Sequence, residues 1–159
     1  MHQFLITNSD IITRLGIAMV LGMAIGAERL FVHKEAGMKT HALVALGAAV
    51  FVLIGEMIPL NHPGLSGFDP SRIASQIIVG VGFLGAGMII LREHGAHIAG
   101  LTTASGLWVS ASIGIASGFG YFSLAIIVTV LVLFILTVLN LLEKPIRKMS
   151  EQFPPDQKN

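Results

Sequence analysis

Long uncharged stretches dominate the chain, and the longest runs from residue 94 to residue 142 without any Asp, Glu, Lys or Arg. A membrane-spanning helix needs about 20 mostly apolar residues, so this stretch is long enough for two spans and a turn. Three similar apolar runs precede it. The pattern predicts an all-α, polytopic membrane bundle with five transmembrane helices, at about residues 11–30, 40–58, 71–91, 100–117 and 121–142.

The connecting segments have the composition of turns and tails. Residues 59–70 contain three Pro and two Gly, and residues 117–120 read Ser-Gly-Phe-Gly, which is typical of a tight turn. The residues after the fifth span are polar and contain three more Pro. We therefore predict a transmembrane domain over residues 1–142 and a short polar cytoplasmic tail over residues 143–159.

Positive charge is distributed unequally between the two sides of this predicted bundle. Eight Lys and Arg residues lie in the connections and tail on one side, whereas only Arg14 and Arg72 lie on the other. Loops rich in Lys and Arg stay in the cytoplasm. The N-terminus is therefore predicted to lie outside and the C-terminus in the cytoplasm.

Composition excludes several classes of function. Charged residues make up 12% of the chain and the net charge is +1, which leaves no basic field for nucleic acid. The chain has no Cys, so thiol chemistry and Cys-ligated metals are excluded. No Walker lysine or catalytic triad spacing is present, and His94-x-x-His97 lacks a carboxylate partner. We expect a non-enzymatic protein without a metal or cofactor.

Glycine marks the surfaces at which helices should pack. All 18 glycines lie between Gly16 and Gly120, and the fifth span has none. Small residues let membrane helices approach closely, which predicts a central third span, a peripheral fifth span and a homodimer joined through surplus packing stripes. The predicted packing glycines are Gly22, Gly26, Gly80, Gly82, Gly85, Gly87, Gly106 and Gly114.

One glycine cluster, Gly80-Val-Gly82-Phe-Leu-Gly85, also matches the dinucleotide-binding fingerprint. That fingerprint requires a strand before it and a helix that opens at it. Here the cluster lies inside an apolar span, so helix packing is the favoured interpretation. A local break in the helix, which would expose carbonyl groups to a cavity, is the alternative.

An outer polar group opens the third span. Asp69 precedes Pro70, which is the pattern of an N-cap followed by Pro at the first helical position. Arg72 and Gln76 follow on the face that carries Gly80. We predict that the three polar side chains face protein, although Arg72 could instead extend to the outer interface.

An inner polar group lies where the first two spans meet the cytoplasm. Arg29 continues the stripe of Gly22 and Gly26 and should point inward, while Glu28 lies on an adjacent face. Thr40 is placed to cap the second span, and His41 follows it. Interfacial anchoring by Glu28 and Arg29 and an inward ion pair with the segment at 39–41 are both open.

Two further residues complete the sequence-based picture. Glu56, near the outer end of the second span, is expected to extend to the interface. Trp108 lies inside the fourth span, so its indole N–H needs a partner within the bundle. The predicted functional polar set is Glu28, Arg29, Thr40, His41, Asp69, Arg72, Gln76, Thr102, Thr103 and Trp108.

Together these motifs resemble the membrane domain of the MgtC/SapB family of bacterial inner-membrane proteins. Lys39 stands where that family usually has Arg, and Ala104-Ser105 replaces an expected Ala-Ala. Family members of the virulence type carry a soluble cytoplasmic domain after the fifth span, whereas this sequence ends at Asn159. The matching stretches include Gly26–Arg29, Ala36–His41, Asp69–Ala74, Gly80–Gly87, Gly100–Ala104 and Gly118–Tyr121.

The resemblance implies a multi-pass protein of the bacterial inner membrane that adapts membrane physiology to low magnesium and to survival inside macrophages. It also implies contact with other inner-membrane proteins, such as the F-type ATP synthase. The alternative is a transporter or channel for an ion such as magnesium or a small solute, because polar residues inside a membrane often mark a pathway. Polar groups sealed by packed helices would favour the first interpretation, and a water-filled path would favour the second.

Overall fold

A computed structural model describes residues 8–61, 69–91, 98–143 and 145. The predicted all-α fold with five helices is confirmed. A pair of two-residue strands connects the third helix to the fourth, and the fifth helix continues through a π-helical turn, Ile135–Leu139. The elements are α1 (Asn8–Phe31), α2 (Met38–Asn61), α3 (Pro70–Met88), β1 (Ile90–Leu91), β2 (Ile98–Ala99), α4 (Leu101–Gly118) and α5 (Phe122–Phe134).

Four of these helices, α1, α2, α3 and α5, are long and apolar enough to cross a membrane. The remaining helix, α4, is less apolar because six of its 18 residues are Ser or Thr. Its position explains half of these residues, since Thr103, Ser110 and Ser117 are buried and α4 packs against α1, α2, α3 and α5. Side chains that are covered by protein do not need to be apolar in order to avoid lipid.

The connection from α3 to α4 begins earlier than predicted and contains a short pair of strands. Helix α3 ends at Met88 rather than near residue 91, and the chain forms an antiparallel pair in which Ile90 is opposite Ala99. Gly100 then takes a left-handed conformation with φ of +91°. A Cβ at this position would overlap the carbonyl of Met88, so the turn requires glycine.

The centre of the bundle is formed by α2 and α4, which contact each other and both pack against α1 and α3. The prediction that the third span is central is wrong. Only 11% of the spanning segment of α3 is buried, compared with 39% for α2 and 17% for α5. The prediction that the fifth span is peripheral is confirmed.

The glycines of α1 and α4 do what the packing prediction requires. A Cβ on Gly22 would lie 2.7 Å from the carbonyl oxygen of His41, and one on Gly26 would lie 2.5 Å from Cα of Met38. A Cβ on Gly114 would overlap the carbonyl of Ala45, and one on Gly106 would lie 3.1 Å from the His41 ring. These four glycines therefore allow α1 and α4 to approach α2 at backbone distance.

The glycines of α3 behave differently. Within the described part of the chain, a Cβ added to Gly80, Gly82 or Gly87 would meet no atom of a neighbouring element within 4 Å, and one on Gly85 would make only an ordinary contact of 3.6 Å with Ala104. The packing prediction is therefore wrong for Gly80, Gly82 and Gly87, because α3 lies at the edge of the bundle. The helix is also continuous from Pro70 to Met88, which fits neither a dinucleotide turn nor a local break.

Candidate functional site

A buried polar cluster lies where α1, α2 and α4 meet at the end of the bundle that contains Arg29. Arg29 is 3% exposed and forms an ion pair with Glu28. His41 is fully buried, and its Nδ1 lies 2.8 Å from Oγ of Ser110 on α4. We call these four residues, Glu28, Arg29, His41 and Ser110, the Arg29 cluster.

The position of His41 depends on glycines on both sides of it. Gly22 on α1 makes room for the His41 backbone, and Gly106 on α4 makes room for the ring. Nε2 of His41 makes no hydrogen bond of normal geometry with the described residues, although the ring interacts with the backbone of Ala36. The ring is therefore fixed by packing and by Ser110.

A second buried cluster, formed around Arg14, lies at the opposite end of the same three helices. Nη1 of Arg14 donates to Oε2 of Glu56 at 2.7 Å and to the carbonyl of Gly118 at 2.7 Å. Oδ2 of Asp10 lies 2.9 Å from Nε of Arg14, close enough for an ion pair but not aligned as a hydrogen bond. We call Asp10, Arg14, Glu56 and Gly118 the Arg14 cluster.

The sequence analysis missed the Arg14 cluster, although a signal for it was present. The buried residues of α1 are Arg14, Ala18, Gly22, Ile25, Gly26 and Arg29. Arg14 therefore lies on the same stripe that identified Arg29, two helical turns before Gly22. Glu56 does not extend to the interface as expected, because it is held by Arg14.

Arg14 also satisfies the end of a helix. The carbonyl of Gly118 belongs to the last turn of α4, where backbone acceptors have no partner inside the helix. A cation at a helix C-terminus is favoured by the helix dipole. Arg14 therefore joins α1, α2 and α4 through a single guanidinium group.

The outer polar group begins α3 as predicted, but its side chains do not have the predicted surroundings. Asp69 caps α3, since its side chain accepts from the Ser71 backbone N–H at 2.8 Å. However, Asp69, Arg72 and Gln76 are all exposed, so the prediction that they face protein is wrong. Hydrogen bonds from Ser71, with a smaller contribution from the charge of Arg72, hold the pKa of Asp69 below its ordinary value.

These three side chains line one end of a groove between α2 and α3, with a volume of about 910 Å³. We call it the α2–α3 groove. The rest of its lining is apolar and includes Phe51, Ile77 and Leu84. A smaller groove of about 380 Å³ lies between α3 and α4. Neither groove is lined by a residue of the Arg14 or Arg29 clusters.

The remaining predicted residues are dispersed. Thr103 is buried on the inner face of α4, whereas Thr102 is exposed. Thr40 is exposed and lies within the first turn of α2, because that helix begins at Met38 rather than after a Thr40 cap. Trp108 is 47% exposed and lines the smaller groove, so the prediction of an interior position is wrong.

Some predictions lie outside the described residues. They concern the His94-x-x-His97 pattern, the position of His62 and nearly all of the polar tail. Within the described part of the chain, no three His, Asp or Glu side chains come together as metal ligands.

The arrangement of glycines, buried polar clusters and helices can be compared with known proteins. The model of the MgtC family matches residues 15–145. The chain belongs to the MgtC family. This finding confirms the resemblance stated from the motifs, and the membrane location follows from the family together with the four apolar helices.

Several curated relatives are similar over most of this chain. The "Putative magnesium transporter YhiD" of Escherichia coli K12 is 42% identical over 138 residues, which cover 84% of this chain and 62% of that protein. "Protein MgtC" of Salmonella typhimurium LT2 is 48% identical over 122 residues, 77% of this chain and 49% of that protein. An uncharacterised Haemophilus influenzae protein is 38% identical over 145 residues, 89% of this chain and 60% of its own length.

The chain thus spans about half to three fifths of the length of these relatives. No solved structure matches it.

Proposed function

We propose that this MgtC-family chain is a non-enzymatic protein of the bacterial inner membrane that adapts membrane physiology to stress such as low magnesium. In this proposal it acts through contacts of its membrane-facing surface rather than by conducting an ion. The observation that carries the proposal is the burial of both arginines, Arg14 and Arg29, where α1, α2 and α4 meet.

Packing distances support this proposal. Gly22, Gly26 and Gly114 bring the backbones of α1 and α4 against α2 between the two clusters. Ala18, Ile25, Ala45 and Ala49 are completely buried between the same helices. A path for a hydrated ion would have to separate these backbones, and the bond from Arg14 to both Glu56 and Gly118 opposes such a separation.

The chemistry of the clusters also supports it. Each acidic group that approaches a buried arginine is already paired with that arginine, and these groups are Asp10, Glu28 and Glu56. A divalent cation at either position would have to compete with a fixed guanidinium group. We assign these pairs the role of fixing one arrangement of α1, α2 and α4.

A transporter or channel is the second candidate, and the name of the Escherichia coli relative favours it. The candidate pathway would follow the polar set, of which Glu28, Arg29, His41 and Thr103 are buried or partly buried. Transport would then need a second conformation in which the α1–α2–α4 contacts open.

Partners belong to the same proposal. We propose the lipid bilayer as the constant partner and an inner-membrane complex, such as the F-type ATP synthase, as the regulated one. The homodimer stays a prediction, and its original basis has changed. The stripes of α1 and α4 that suggested it are filled by α2 within one chain.

A flux measurement separates the two candidates. The protein is reconstituted into vesicles that contain a magnesium-sensitive dye, and uptake is compared with protein-free vesicles. We expect no protein-dependent uptake from a protein that restores growth in low magnesium. Saturable uptake that is lost in Glu28→Gln but kept in Glu35→Gln, an exposed carboxylate of the α1–α2 loop, would contradict the proposal and support transport.

A further inference from the structure

The α2–α3 groove is lined by two glycines that leave space beside them. Gly47 lies on α2 and Gly80 on α3, and a Cβ added to either would meet no atom of a neighbouring element within 4 Å in the described part of the chain. Glycine inside a membrane helix normally marks close approach of another helix. Here it keeps space open instead, so the groove is shaped for an occupant that is not part of the described chain.

The polar groups of the groove are confined to one end. Asp69 and Arg72 lie at the start of α3, and Gln76 lies one turn further along. No ion pair with Arg72 is found in the part of the chain that the structure describes. Oδ1 of Asp69 accepts the cap hydrogen bond from the Ser71 N–H, so this end offers a ligand the cation of Arg72, the amide of Gln76 and the second carboxylate oxygen of Asp69.

The length of the groove matches one half of a bilayer. Leu84, at the apolar end, lies twelve residues after Arg72 on a continuous helix. At a rise of about 1.5 Å per residue, the two are about 18 Å apart. The hydrocarbon core of a membrane is about 30 Å thick, so one leaflet contributes about 15 Å. The volume of about 910 Å³ is also that of a ligand cleft.

We propose that the α2–α3 groove binds one phospholipid with an amine-bearing, zwitterionic headgroup. Arg72 binds the phosphate, Asp69 binds the ammonium group, and Gln76 donates a hydrogen bond to the glycerol ester region. The acyl chains lie along Phe51, Ile77 and Leu84. Charge complementarity selects this headgroup, because Asp69 would repel the anionic lipid that Arg72 alone would prefer.

A helix of a second copy fits this groove less well. The exposed face of α5 between residues 122 and 142 has no charged side chain. Docked in the groove, it would remove Arg72, Asp69 and Gln76 from water and give them no charged partner. Such burial is unfavourable, whereas a phospholipid brings its own polar end to the polar end of the groove.

Native mass spectrometry of the detergent-purified protein tests the proposal. We expect one retained phosphatidylethanolamine per chain. Gly80→Leu fills the groove from α3, and Gly47→Leu fills it from α2. Each should lower retention about tenfold, the factor that corresponds to about 1.4 kcal/mol. Gly87→Leu is the matched control, since Gly87 also faces open space but lines neither groove.

Headgroup selection is tested by adding phosphatidylethanolamine or phosphatidylglycerol to delipidated protein. Arg72→Gln should weaken binding of both lipids. Asp69→Asn preserves the N-cap, because Asn caps as well as Asp, but it should abolish the preference for phosphatidylethanolamine. A thermal unfolding curve for each variant shows that the fold is retained.

Three results would overturn the proposal. One is the absence of retained lipid, and another is equal retention by Gly80→Leu, Gly47→Leu and Gly87→Leu. The third is a second copy in the groove. That arrangement would appear as cross-linking between chains of Gly80→Cys in vesicles of phosphatidylethanolamine and phosphatidylglycerol, and the absence of native Cys makes this cross-link specific.

Discussion

The glycines of α1 and α4 and the glycines of α3 lie in apolar spans of similar length and have opposite surroundings. Gly22, Gly26 and Gly114 lie against the backbone of α2. A Cβ added to Gly80, Gly82 or Gly87 would meet no neighbouring element among the described residues. Small residues in a membrane helix therefore indicate that a large side chain is disfavoured at that position. They do not show whether protein or another molecule fills the space beside it.

The two arginines that lie at the same end of the bundle make the same contrast. Arg14 is 5% exposed and donates hydrogen bonds to Glu56 on α2 and to the carbonyl of Gly118 on α4. Arg72, in contrast, is exposed at the mouth of the α2–α3 groove. In the α1–α2–α4 unit the arginine is thus buried and paired within the chain, whereas at the α3 edge it is exposed. Each prediction below challenges that division.

The largest loss of stability is expected from Arg14→Ala. It leaves the partly buried Glu56 carboxylate without its cation and the last turn of α4 without a donor. Removing one partner of a buried pair costs about 3–5 kcal/mol. Thermal unfolding in detergent should show a large loss for Arg14→Ala and almost none for Arg72→Ala. Similar losses for both variants would contradict the division.

A smaller but still large effect is expected from Gly114→Leu. The added side chain would overlap the Ala45 backbone, and helix α2 cannot move away without breaking its contacts with α1. Overpacking of this kind costs about 1–3 kcal/mol. Gly82→Leu, which meets no protein atom, is the control. We expect its unfolding temperature to stay close to that of the unmodified protein.

A moderate effect is expected from Ser110→Ala. This change removes the hydrogen-bond partner of a fully buried His41. A buried polar atom left unsatisfied costs about 1–3 kcal/mol. Ser105→Ala on the same helix is the control, because Ser105 is exposed and bonds only to the backbone carbonyl of Leu101. Equal stability of the two variants would show that Ser110 does not hold the ring.

The smallest effect on stability is expected from Asp69 at the start of α3, and this effect depends on pH. The pKa of Asp69 is held below its ordinary value of 3.8 by Ser71, so the folded protein binds this proton less readily than the unfolded chain does. The stabilisation is therefore complete above that ordinary value and is lost as the pH falls through the lower, folded pKa. Comparing unfolding of the unmodified protein and Asp69→Asn at neutral and acid pH measures it, and a loss confined to alkaline pH would contradict the sign.

Much of the fold was available from the sequence because its signals are local. The apolar runs determine the five helices, and the Asp69-Pro70 pair determines where α3 begins. Small residues recur every three or four positions along α4, at Thr103, Gly106, Ser110, Gly114 and Ser117, and this spacing coincides with the buried face of the helix. The same stripe rule on α1 identifies Arg29, and it would have identified Arg14 if it had been extended toward the N-terminus.

Only the tertiary structure decided which helix is enclosed and which is open. Hydrophobicity measures exclusion from water, which lipid and protein both satisfy, so the hydropathy of an apolar span does not show whether lipid or protein covers it. The pairing of Arg14 with Glu56 depends on two helices that meet 42 residues apart in the chain. The exposure of Arg72 and Gln76 likewise depends on the gap left between α2 and α3. These facts depend on how neighbouring helices are placed relative to one another, and the residue pattern along a single helix does not describe that placement.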